Sequence, residues 1–267
     1  MWCVKLLNKL KLKNVKEQFE NALTYLKSLE DIEACITGSA MLGYMEGQKQ
    51  DIDIFCYNQA SFTKLLYTLH FNPMFLILDK IEQWKFSDYT QSVYNNSIKK
   101  LGLVTIKFTY NLSIPINIIF KEKADNIFSI LSTFDMDIIS IGYDLKSKKT
   151  LDLSEKKEDK VVVWNKWNKA FYSVNIWAVS RILRQFLRVV KYHKRGYNTD
   201  DVALKYKEIL TNMLEYENIF NSDKVDEKVK SVKDNSKILI QIIDKWLETH
   251  LLNDDEEKLI EETIKKL

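Results

Sequence analysis

Two aspartates and a Gly-Ser pair are the residues whose types and spacing could do chemistry. Ile36-Thr37-Gly38-Ser39 is followed by eleven residues and then by Asp51-Ile52-Asp53-Ile54. The alternation of acid and isoleucine predicts a strand, on which side chains at i and i+2 share a face. Asp51 and Asp53 then converge on one point while Ile52 and Ile54 enter the core. Convergent carboxylates make a hard, oxygen-rich site suited to Mg2+ or Mn2+. Such ions carry nucleoside triphosphates and stabilise the charge of phosphoryl and nucleotidyl transfer. Gly38 lets backbone approach a phosphate closely. Ser39, at a helix N-terminus, offers a hydroxyl and backbone N–H groups to phosphate oxygens. Read separately, the Asp-Ile-Asp-Ile run is an edge strand with solvated acids and Gly-Ser a plain turn. Only the combination points to a nucleotide.

A second cluster is cationic. In the run 181–195, Arg181, Arg184, Arg188, Lys191 and Arg195 follow one another at helical spacing. At 3.6 residues per turn they fall within an arc of roughly 80°. Ile182, Leu183, Phe186, Leu187, Val189 and Val190 take the other side. Like charges at i, i+4 repel, so a face of cations without an interleaved acid suits phosphate, either a triphosphate or a nucleic acid backbone. The bland alternative is a solvated helix face. This face is expected to line the same cleft as the aspartates. Other chemistries find no pattern. His70, His193 and His250 lack zinc-enzyme spacing, Ser39 has no hydrolase context, and no Gly-rich dinucleotide or P-loop motif occurs.

These residues need elements to position them. Apolar spacing predicts a helix over 14–30 with Asn14 as its N-cap. A short strand then ends at Gly-Ser, one or two helical turns follow, and DIDIFCY forms a strand. SFTKLLYTLHF reads as a helix capped by Ser61. FLILD, WKFSDY, LVTIKFTY and IPINIIF read as sheet, the last two as a hairpin turning near Asn111 to Ser113. ADNIFSILSTF reads as a helix and DIISIGYDL as a strand; the text from Lys149 to Trp164 contains a polar connector, with a domain boundary near 152–165 where strand-like text ends. Helices are expected at 173–195, 200–220, 235–250 and 254–266.

Composition sets the bounds. The chain has 267 residues, 46% hydrophobic and 29% charged, enough to bury a core and to exclude a disordered or collagen-like chain. Six glycines and two prolines are too few for a turn-rich all-β fold. A net charge of +3 from 40 basic and 37 acidic residues names no partner. Cys3, Cys35 and Cys56 are too scattered for a zinc site or a disulfide framework and suit a reducing compartment. Met1 to Lys13 lacks the apolar core of a signal peptide, and no apolar run is long enough to cross a bilayer. A cytoplasmic protein with no membrane partner is expected.

The text TGSAMLGYMEGQKQDIDIF, residues 37–55, resembles the DNA polymerase β-like nucleotidyltransferase superfamily. The segment after Gly-Ser is also similar to the branch holding AbiEii-type toxins and small viral and phage nucleotidyltransferases. The resemblance implies an α+β chain: a mixed-sheet nucleotidyltransferase domain over 1–160 and an all-helical domain over 161–267. It implies Asp51 and Asp53 as metal ligands, with Gly38, Ser39, Arg181, Arg184, Arg188 and Lys191 as nucleotide contacts. The activity implied is transfer of a nucleoside monophosphate from an NTP, with Mg2+ or Mn2+, to an RNA end (tRNA included), a protein or a small hydroxyl compound. Members are similar to one another in a third carboxylate on a later strand. The strand here is Ile114–Phe120, with Asn117 at that position, and an amide cannot accept a proton as a base. Three readings follow: a nucleotide- or nucleic-acid-binding protein without catalysis, a two-carboxylate enzyme using another base, or a third acid from Asp135 or Asp137. Against the last stands the reading of those two as solvated acids at a helix-to-strand junction.

Overall fold

The computed structural model describes residues 2–48, 50–78, 103–155, 160–168, 176–219, 227–253, 255–256, 258–260 and 262. The fold is α+β. Residues 1–134 with 139–154 pack as one unit, and 135–138 with 155–267 as a second.

The first unit opens with α1, Trp2–Ser28. The helix runs straight through Asn14, which therefore is not its cap: the Leu- and Lys-rich text before it has neither glycine nor proline to stop a helix. β1 (Ala34–Thr37) leads into a 3-10 turn, Gly38–Leu42, and β2 (Ile52–Cys56) follows. α2, Gln59–His70, is capped by Asn58, whose side chain accepts from Ser61 N–H at 2.7 Å. Ser61 is thus not the cap either. Its hydroxyl accepts from the Glu33 N–H at 3.0 Å and ties the helix start to β1.

β3 is Phe75–Ile77. β4 (Leu103–Tyr110) and β5 (Ile114–Lys121) form the expected hairpin, with Asn111 and Leu112 both in the left-handed region at its tip. The WKFSDY segment lies outside the described residues. α3 is a short helix, Ile127–Leu131, held by a reciprocal cap between Asn126 and Ser129. The strand expected at 137–145 shortens to β6, Ile141–Asp144, because Asp137–Ile139 first makes a 3-10 turn. Lys149–Asp152 is a strand, β7, which pairs with β6 along its length.

The described strands form one mixed sheet in the order β3-β4-β5-β2-β1-β6-β7, in which only the β2–β5 pair is parallel. One face is the core. Ile36, Ile52, Ile54, Ile106, Ile116 and Ile118 pack there against Phe19 and Leu26 of α1 and Phe62 and Leu65 of α2. Each such side chain contributes about 1.5–3 kcal/mol by leaving water. The opposite face is covered only in part. Cys35 and Ile130 pack there with Phe55, Ile127 and Phe134. Gly142 permits that close approach, since a Cβ would meet Ile127 Cδ1 at 3.0 Å. The second unit contains α4 (Ile176–His193), α5 (Asp200–Ile219) and α6 (Glu227–Thr249), with Phe186, Tyr206 and Trp246 in its core. The expected 254–266 helix lies partly outside the described residues.

Candidate active site

The parallel pairing of β2 and β5 sets Asp53 directly against Asn117. Asp51 stands one residue before β2, and both acids are half-buried. Asn117 Nδ2 donates to Asp51 Oδ2 at 3.0 Å and to Asp53 Oδ1 at 2.7 Å. One amide nitrogen therefore bridges the two carboxylates. Its N–H groups screen a repulsion that two adjacent acids would otherwise feel.

Gly38 closes the other side. It leaves β1 with φ +72°, a conformation that disfavours a Cβ, and a Cβ built there would lie 3.7 Å from Asp53 Oδ2. Thr37 pairs with Asp53 across β1 and β2, and its buried hydroxyl finds no hydrogen-bond partner among the described residues. An unmatched buried hydroxyl costs about 1–3 kcal/mol. Ser39 is half-buried within the 3-10 turn.

Gln50, the residue before the first aspartate, was not legible as functional. It is nearly buried and uses its whole amide on the loop. Its Nε2 donates to Ser39 O at 2.7 Å and to Gly43 O at 2.8 Å, while Oε1 accepts from Met45 N–H at 3.0 Å. The loop between β1 and β2 is thus fastened to the start of β2, so Gly38 and Ser39 are held beside the acids.

No protein-family model matches the chain, and no curated protein matches it. Among solved structures it is similar to the Thermotoga maritima CCA-adding enzyme complexed with tRNA, at 14% identity and a TM-score of 0.38 over 89% of this chain. The chain spans 51% of that one, about half its length. A likeness at that level carries no argument about chemistry, which rests on the geometry of Asp51, Asp53 and Asn117.

Those residues fit a divalent cation of the hard, oxygen-seeking kind. Two carboxylates converge within hydrogen-bond reach of one amide, whose nitrogen faces them, so the ligand oxygens are those of the acids. Among the described residues, no group of three or more His, Cys, Asp or Glu is arranged to hold a metal, so the acidic donors here number two.

In the second unit, α4 buries Ile182, Leu183, Phe186, Val189 and Val190 and exposes Arg181 and Arg184, as its periodicity predicts. Lys191 is half-buried. Arg188 Nη2 donates to Asp135 Oδ1 at 2.8 Å, and its side chain is 42% exposed. Tyr206 Oη donates to the other oxygen, Asp135 Oδ2, at 2.5 Å. Asp135 and Asp137 are both buried, which corrects their reading as solvated acids. Asp137 accepts the Val163 and Glu155 N–H groups at 2.9 and 3.2 Å. Each carboxylate is hydrogen-bonded within its own unit. No helix among the described residues is long and apolar enough to cross a membrane.

Proposed function

We propose that the sheet unit carries a nucleoside triphosphate site dependent on Mg2+ or Mn2+, and that the chain transfers a nucleoside monophosphate to a hydroxyl acceptor such as an RNA end, a protein side chain or a small molecule. The observation that carries this reading is the convergence of Asp51 and Asp53 on Asn117 beside the left-handed Gly38. Asp51 and Asp53 hold the cation. When bound, the cation supplies stabilisation of charge on phosphoryl oxygens. Gly38 and Ser39 give the triphosphate close backbone approach, and Gln50 keeps that backbone in place. Asn117 orients the two acids and takes no proton. On the helical unit, Arg181, Arg184 and Lys191 are proposed contacts for phosphate, of the nucleotide or of RNA. The Asn117 amide also favours a second reading, a protein that binds nucleotide without transferring it.

The test is incubation with each α-labelled NTP, Mg2+ or Mn2+, and total RNA or whole lysate. Label on a macromolecule, lost in Asp51→Ala and Asp53→Ala, supports transfer. Divalent-dependent NTP binding without label supports the binding-only reading. Unchanged NTP binding by both alanine variants would falsify the site.

A further inference from the structure

Asp53 shares a row of the sheet with a lysine that no motif singled out. Adjacent strands pair Lys107 with Asn117, Asn117 with Asp53, and Asp53 with Thr37. Residues directly paired across strands share a face. An ammonium, an amide, a carboxylate and a hydroxyl therefore follow one another along one side of the sheet. Alternation in β4 agrees: Val104, Ile106 and Phe108 are buried in the core, and Lys107 is exposed on the other side. Strand spacing puts Lys107 about 10 Å, two strands, from Asp53 at the backbone. Its long side chain spans much of that gap.

The two common reasons for an exposed strand lysine do not apply. Lysines guard sheet edges, but β4 lies inside the sheet, between β3 and β5. Lysines also answer carboxylates, but among the described residues no acid pairs with Lys107. A divalent cation held by Asp51 and Asp53 leaves part of a triphosphate's charge unmatched, and lysine is a common point-charge partner for phosphate.

We propose that Lys107 is a phosphate-binding residue of this site, neutralising the outer phosphates of a nucleoside triphosphate held at Asp51 and Asp53. The proposal rests on the nucleotide reading of that pair. It gives the sheet unit its own cation and does not depend on the arginines of α4.

The experiment is titration calorimetry on the full chain, wild type against Lys107→Met and Lys107→Arg, with three probes: MnCl2 alone, inorganic tripolyphosphate with Mn2+, and ATP with Mn2+. Lys107→Met is expected to bind tripolyphosphate and ATP at least tenfold more weakly while binding Mn2+ as wild type does. Lys107→Arg is expected to keep most of the affinity. Wild-type affinity for both phosphate probes in Lys107→Met overturns the role of Lys107 and leaves the aspartate site standing. Loss of Mn2+ binding along with phosphate also overturns it, since the lysine then acts through the acids or the fold. A wild-type chain that binds none of the probes overturns both readings.

Discussion

The Asn117 amide donates to Asp51 and Asp53 at once, so the pair is held together without a third charge. Asn117→Asp exchanges two hydrogen bonds for like-charge repulsion. It is expected to cost about 1–3 kcal/mol of stability in EDTA and to regain that stability when Mn2+ is added. Thermal melts with and without Mn2+ measure this; equal Mn2+ effects on variant and wild type would count against a cation at the pair. Asp144 makes a different argument. Partial burial raises its pKa, but the Ser147 N–H at 2.6 Å and the Tyr57 hydroxyl at 2.7 Å outweigh that and hold its carboxyl below the usual aspartate value. A folded-state pKa lowered in this way contributes stability above the unfolded value, and that stability is lost as pH falls through the folded one. Asp144→Asn is therefore expected to destabilise the chain at neutral pH and to flatten its acid limb below about pH 4. Denaturant titrations at neutral and acidic pH would show it, and parallel wild-type and variant curves would contradict it. Burial pushes the Cys35 thiol up to about 12, so it remains protonated and unreactive throughout this range.

At the scale of elements, the site depends on the loop between β1 and β2. Gln50→Ala removes three hydrogen bonds that fasten this loop and leaves the Met45 N–H without its acceptor. The expected cost is about 1–3 kcal/mol, with faster amide exchange confined to residues 39–45 as its signature. Protection unchanged there would show that the turn holds itself. The two ends of the site differ in how far sequence could reveal them. Asp51 and Asp53 alternate with isoleucines, and period two is a local signal. Their meeting with Asn117 needs the β2–β5 pairing across more than sixty intervening positions, which no local pattern encodes. Lys107 was within reach. A hairpin tip centred on Leu112 sets residue 107 against 117, and the turn near Asn111 to Ser113 was readable. Gln50 left no trace, because a single glutamine in a polar loop looks the same whether or not it is bonded. Asn14 and Ser61 misled for a related reason: cap-forming residue types recur inside helices, and only the path of the neighbouring chain decides which of them caps.

Across the whole molecule, the Asp135 cluster is the charged centre of the helical unit. Arg188 and Tyr206 occupy both of its oxygens, and the carboxylate is removed from water. Asp135→Ala strands the Tyr206 hydroxyl and the Arg188 guanidinium, so a loss of about 3 kcal/mol is expected. Chemical denaturation of variant and wild type measures it, and a change under about 0.5 kcal/mol, the range of ordinary surface substitutions, would contradict it. The chain's path gives this cluster another consequence. Residues 135–138 belong to the helical unit, yet 139–154 return to the sheet unit. During synthesis from the N-terminus, Asp135 emerges long before Arg188 and Tyr206. Its acid must therefore wait in water while β6 and β7 complete the sheet that holds Asp53 and Asn117. The nascent chain can finish its sheet unit first, but it carries an unanswered charge until Arg188, 53 residues further on, has left the ribosome.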